Sequence, residues 1–147
     1  MNEKASSING LMKLLNMEIV EASKTRVEMS MPITPDLYQP FNFVHGGATI
    51  ALLESAASYA AEKNANLEVE TVFGVNVNVN HRKSGKSGTL RGIAELERHE
   101  GAKYYWRVVA LDDEGDVVSE GTILTLTVSY ERLAEKAARK GAKNAAK

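Results

Sequence analysis

The chain has 147 residues, a formal net charge of −1 and no cysteine. That length fits one domain of ordinary soluble composition, and a near-zero charge gives no electrostatic case for nucleic acid. The lack of cysteine excludes a disulfide framework, a thiolate metal site and a cysteine nucleophile, and it fits a cytoplasmic protein.

The start, MNEKASSINGLMKLL, has no unbroken apolar core and no small-residue cleavage site, so it does not read as a signal peptide. No window approaches the roughly 20 apolar residues that a membrane span needs. Residues 6–16 predict a short amphipathic helix, capped by Ser6 or Ser7, with Leu11, Met12, Leu14 and Leu15 on its apolar side. A strand pair is expected over 17–22 and 25–31, with Val27, Met29 and Met31 sharing one face. Pro32, Pro35 and Pro40 then punctuate a loop. From Gly46 to about Lys63 the chain has no proline and is dominated by alanine and leucine, which predicts a helix buried on most sides. Strands follow over 71–81, 89–98, 104–111 and 117–130. In the first of them strict alternation sets Phe73, Val75, Val77 and Val79 on one face and Gly74, Asn76, Asn78 and Asn80 on the other, an exposed polar row. Residues 99–102 predict a turn, and 112–116 a hairpin loop with Gly115 in the left-handed position.

The fold class is therefore α+β: a long antiparallel sheet wrapped around one central buried helix. Residues 1–130 form that domain. Residues 131–147 are an extension rich in Ala and Lys/Arg, with six basic and two acidic residues, read as a solvated helix. Three scattered histidines show no ligand spacing, so no metal is expected, and His99 receives no role.

The stretch QPFNFVHGGATIALLES carries the chemistry. His45-Gly46-Gly47 stands where the buried helix begins, where unpaired N–H groups and the positive end of the helix dipole suit an oxyanion or a polarised carbonyl. Glu54 lies among Ala, Leu and Ile, with Ser58 one turn further on the same face. A carboxylate so desolvated is suited to act as base or nucleophile near neutrality. Gly47 and Glu54 are seven residues apart, about 10 Å along a helix axis. That is too far for both to touch one carbonyl carbon. If both serve one reaction they come from two copies of the chain, with two sites per pair.

This pattern resembles the hotdog-fold acyl-CoA thioesterases, in particular the 4-hydroxybenzoyl-CoA and phenylacetyl-CoA thioesterase groups. Their motif has an amide residue, His-Gly-Gly six positions later, and an acid nine positions after the histidine. Gln39, His45-Gly46-Gly47 and Glu54 match both spacings, and the likeness runs from about residue 8 to 130. The resemblance implies hydrolysis of an acyl-CoA, with an aryl or a short or medium acyl group, to the free acid and CoA. It implies that the Gly47 N–H polarises the thioester oxygen and that Glu54 attacks the carbonyl carbon or activates water. Gln39 and His45 would orient the thioester or the water, and Ser58 would hold the water or the leaving group. His81, Lys83, Ser84 and Lys86 would lie near CoA, and Phe43, with Phe41 and Val44, beside the acyl group. The phenylacetyl-CoA group carries Asp where Glu54 stands, which leans this chain toward the hydroxybenzoyl side. Lys83 stands where the family often has Arg, keeping the charge but losing the bidentate fork. No cofactor is implied, since CoA is part of the substrate, and the assembly would be a homodimer or homotetramer, with no nucleic-acid or membrane partner. Two rivals are a dehydratase or hydratase of carrier-linked acyl groups and a non-catalytic acyl-CoA binder. The first would bring a proline-glycine helix start or an Asp-x-Asn-x-x-His pattern, and neither is present.

Overall fold

In the computed structural model, which describes residues 8–146, the chain runs through α1 (Gly10–Leu14), β1 (Glu18–Ala22), β2 (Arg26–Pro32), a single 3-10 turn (Pro35–Leu37), α2 (Gly46–Glu62), β3 (Glu70–His81), β4 (Thr89–Glu100), β5 (Lys103–Leu111), β6 (Val117–Ser129) and α3 (Tyr130–Ala145). All strand pairings are antiparallel, in the order β1-β2-β4-β5-β6-β3, and α2 packs on one face of the sheet. This is the expected α+β architecture.

The core lies between α2 and the sheet. Leu52, Leu53, Ala56, Ala57, Ala60 and Ala61 of α2 are buried against Val27, Met29 and Met31 of β2, the face the alternation assigned. Alanine on the helix lets it come close to the strands, and Gly92 of β4 goes further: a Cβ there would lie 2.7 Å from Leu52 Cγ. Trp106 fills the middle of β5 with no exposure, and its indole N–H donates to Thr125 Oγ1 at 3.0 Å. The one polar atom of that large side chain is thus satisfied within the core. Helix α2 ends where the Asn64 amide donates to the Ala60 carbonyl of the last turn and to the Lys24 carbonyl.

Several expectations shift. Helix α1 spans only five residues; the proposed caps Ser6 and Ser7 lie outside the described residues, and Leu11 and Leu14 are exposed while Met12 and Leu15 pack on the core. Pro32 closes β2 instead of opening the loop. The β4–β5 hairpin is tighter than predicted: the strands reach Glu100 and Lys103, Gly101 takes φ +57°, and His99 lies in β4, stacked on Tyr104. Gly115 is left-handed as expected, at φ +82°. Tyr130 begins α3 instead of ending the strand, because the Ser129 hydroxyl accepts from the Arg132 N–H and caps the helix.

The correction with most consequence is in β3. Its register against β6 slips between Gly74 and Asn76, leaving Val75 as an extra residue. The bulge reverses the side-chain phase of the first half of the strand. Val72 and Gly74 join Val77 and Val79 on the α2 face, while Phe73 and Val75 turn outward and are exposed. The alternation rule had placed Phe73 inward and Gly74 outward.

Candidate active site

His45 is the N-cap of α2. Its backbone is extended, and its Nδ1 accepts the Gly47 N–H at 2.8 Å. A neutral ring with Nδ1 as acceptor carries its proton on Nε2. The Gly47 N–H, expected to face a substrate oxygen, is therefore held by the cap in this structure. The loop before it is drawn tight: the Gln39 side-chain oxygen accepts the Phe41 N–H, Gln39 N–H donates to the Phe43 carbonyl at 2.8 Å, and Asn42 takes φ +66°. Gln39 and Phe43 are half-buried, whereas Phe41 is 79% exposed and in the single chain encloses nothing.

Glu54 is half-buried, not sealed in an apolar helix. With Ala51, Ser55, Ser58, Tyr59 and Glu62 it lines a groove of about 330 Å³ whose far wall is Leu11 and Met12 of α1. The structure thus brings Glu54 and Ser58 into one groove, as the i, i+4 spacing implied. Glu62 stands at the end of this groove, and burial pushes its carboxyl up against the weaker pull of Lys63. A larger recess of about 950 Å³ lies on the opposite sheet face, beneath α3, and contains none of the predicted site residues.

The segment expected to meet CoA divides. His81 turns toward the start of α2: its Nδ1 is 2.7 Å from the Oγ of buried Ser119, and its Nε2 lies 2.7 Å from where a Cβ on Gly46 would stand. It therefore stands behind the His45-Gly46-Gly47 turn. Lys83 is clamped. Its ammonium lies 2.7 Å from Asp112, 2.9 Å from Asp116 and 3.7 Å from Glu114. The hydrogen bonds it donates to Asp112 and then Asp116 hold the Lys83 ammonium well above its usual range, and Lys83 in turn holds the Asp112 carboxyl low. The three convergent carboxylates already contain a cation in that ammonium. Lys83 thus ties the 82–88 loop to the β5–β6 hairpin. Ser84 is exposed, and Lys86 sets its ammonium 4.6 Å from the centre of the Phe43 ring. Tyr38 Oη donates to the Lys86 carbonyl, fastening the same loop to the segment before His45.

Sequence reasoning missed Gly74, Ser119 and Glu62. A glycine interrupting an alternating strand is a bulge signal and could have flagged Gly74. Ser119 and Glu62 had no local signal, because each matters through a partner or a wall brought in by the fold.

A helix start carrying His-Gly-Gly, laid over a six-stranded antiparallel sheet with an acid two turns further on, is reflected in comparisons with other proteins. The model of the thioesterase superfamily matches residues 41–119, more than half of the chain. The chain belongs to the thioesterase superfamily. It is a hydrolase of thioesters. It is 32% identical to a 1,4-dihydroxy-2-naphthoyl-CoA hydrolase of Listeria monocytogenes, over 71% of this chain and 84% of that protein. It is 27% identical to the proofreading thioesterase EntH of Cronobacter turicensis, over 76% of this chain and 80% of that one. The crystal structure of a mutant thioesterase from Pseudomonas aeruginosa superposes with a TM-score of 0.79 at 25% identity, covering 86% of this chain and 91% of that one. Together with the topology these give the fold as the hotdog fold of this superfamily. No helix among the described residues is long and apolar enough to cross a membrane.

Proposed function

We propose that this thioesterase hydrolyses acyl-CoA at two sites shared across a homodimer, each combining Glu54 of one copy with the α2 start of the other. The observation that carries this reading is the placement of the Glu54 carboxylate against β3, the edge strand of the sheet. The β3 edge runs for 12 residues, with no lysine or proline within Glu70–His81 to discourage pairing. The other edge, β1, is short, bulged and carries Glu18 and Glu21. A second copy pairing along β3 would bring its own helix start toward Glu54, which removes the separation of about 10 Å between Gly47 and Glu54 of one chain.

In this reading the thioester carbonyl oxygen takes the Gly47 N–H as the His45 ring turns aside, with the ring's Nε2–H as a second donor. Gln39 steadies the thioester. Glu54 acts in one of two ways. As base, it takes a proton from water, whose oxygen adds to the carbonyl carbon. As nucleophile, it forms an anhydride that water then opens. In both cases the carbon–sulfur bond breaks, the thiolate leaves and takes up a proton, and the products are the acid and CoA. Ser58 is within the groove to hold the water, and the acyl group lies along Ala51, Ser55 and Tyr59. Ser84 and Lys86 of the 82–88 loop face the CoA arm, with Phe43 next to Lys86 on the acyl side, while Lys83 supports that loop from behind. No metal or redox cofactor enters the proposed reaction. The naphthoyl thioester named for the Listeria relative supports placing aryl-CoAs first among the candidates.

The test is release of free CoA, followed with a thiol-reactive dye, from a panel of aryl, short and medium acyl-CoAs. The expected result is turnover of at least one class. Binding of CoA without release from any of them would contradict the proposal and favour a non-catalytic binder.

A further inference from the structure

The Glu54 carboxylate lies against a position that has no side chain. A Cβ built on Gly74 would stand 2.2 Å from Glu54 Oε1, 3.1 Å from its Cδ and 3.3 Å from its Cγ. All three of the nearest atoms belong to Glu54, so the space Gly74 leaves open is occupied by that one side chain. The bulge at Val75 creates this juxtaposition. With uninterrupted alternation from Val77, the residue facing α2 at this level would be Val75 or Phe73, and either would fill the place of the carboxylate. The support beneath is firm. Gly74 pairs with Thr125 of β6, and Thr125 is buried and holds the Trp106 indole.

We propose that Gly74 is a positioning residue for thioester hydrolysis: the bulge turns this one side-chain-free position toward α2, and the Glu54 carboxylate is held against the backbone of the edge strand. The proposal rests on the reading of Glu54 as base or nucleophile. A positioned carboxylate needs a fixed wall, and a misplacement of about 1 Å can cost roughly a hundredfold in rate. An alanine Cβ at this position would come under 3.0 Å only to Glu54 Oε1, the far end of a side chain that can rotate away, so the fold accepts it and the carboxylate is displaced.

The experiment is a cycle of Gly74→Ala, Glu54→Asp and the double variant, with kcat and KM for an acyl-CoA that the wild type turns over, plus melting temperature and dimer mass. Gly74→Ala is expected to keep the wild-type melting temperature and mass, to change KM by no more than about threefold, and to lower kcat roughly 10- to 100-fold. Aspartate is shorter by one methylene, about 1.5 Å, so its carboxylate would end near the Cδ position of Glu54, 3.1 Å from the added methyl group, and the 2.2 Å overlap is relieved. Glu54→Asp alone should lower kcat, yet in the Gly74→Ala background it should leave kcat the same or raise it. A merely structural glycine would give a lower melting temperature and losses that multiply. Losses that multiply in the double variant, or a wild-type kcat in Gly74→Ala beside an inactive Glu54→Gln, would overturn the positioning role alone. A wild-type kcat in Glu54→Gln would overturn the reading of Glu54 and this proposal with it.

Discussion

Glu54→Gln lowers the rate of CoA release by about 10²- to 10⁴-fold, the usual range for losing a base that takes a proton in the transition state. Glutamine keeps the shape of the side chain and its fit over Gly74, so the change isolates the loss of the charge and the proton acceptor. Glu54 is half-buried, and no ion pair within the chain depends on it among the described residues. The melting temperature should therefore stay close to that of the wild type while the rate falls. Steady-state release of free CoA, with circular dichroism melts alongside, measures both quantities. A variant that keeps more than about a tenth of the wild-type rate would remove Glu54 from the chemistry.

Trp106→Ala destabilises the fold by about 3–5 kcal/mol, the cost of deleting a fully buried aromatic side chain. Trp106 has no exposure and lies beneath α2 in the centre of the sheet, stacked beside Tyr104 at 6.2 Å between ring centres. Its loss leaves a cavity and also removes the donor that Thr125 Oγ1 accepts from. Against a typical domain stability of about 5–15 kcal/mol, this removes a large fraction. Trp106→Phe fills most of the volume and loses only part of it. Urea unfolding of the three proteins measures the series, and an alanine variant within about 1 kcal/mol of the wild type would show that the core does not depend on this ring.

The sequence made the long-range plan readable where a single physical signal dominated. The proline-free, Ala-rich run from Gly46 marked α2, because small apolar residues nearly all the way round suit a helix packed closely into a core, although its Glu54, Ser55 and Ser58 side remains half-buried. The alternation of Val27, Met29 and Met31 marked the buried face of β2, and Gly115 marked its turn. His45, Gly47, Glu54 and Ser58 could be found because their spacing is local to one helix. The rest depended on contacts between distant segments. The bulge at Val75 reverses the faces of Phe73 and Gly74, and alternation has no term for one extra residue. The resemblance implies that Lys83 lies near CoA, and only the fold shows the hairpin 112–116 coming back to surround it with three acids. His81 reads as a strand-end residue, and its approach to Gly46 exists only because β3 crosses the start of α2. Helix α1 was predicted too long because its apolar residues show periodicity without saying how many turns the rest of the fold will cover.

The shared site is tested most directly by mixing two inactive chains. Glu54→Gln and His45→Ala are co-expressed with different tags, and the mixed dimer is isolated by both. Each parent dimer should be close to inactive, since both of its sites lack one component. In the mixed dimer one site joins an intact helix start to an intact Glu54, so it should release CoA at about half the wild-type rate per dimer. A mixed dimer as inactive as its parents would contradict a site built from two copies and would return Glu54 and His45 to a single chain.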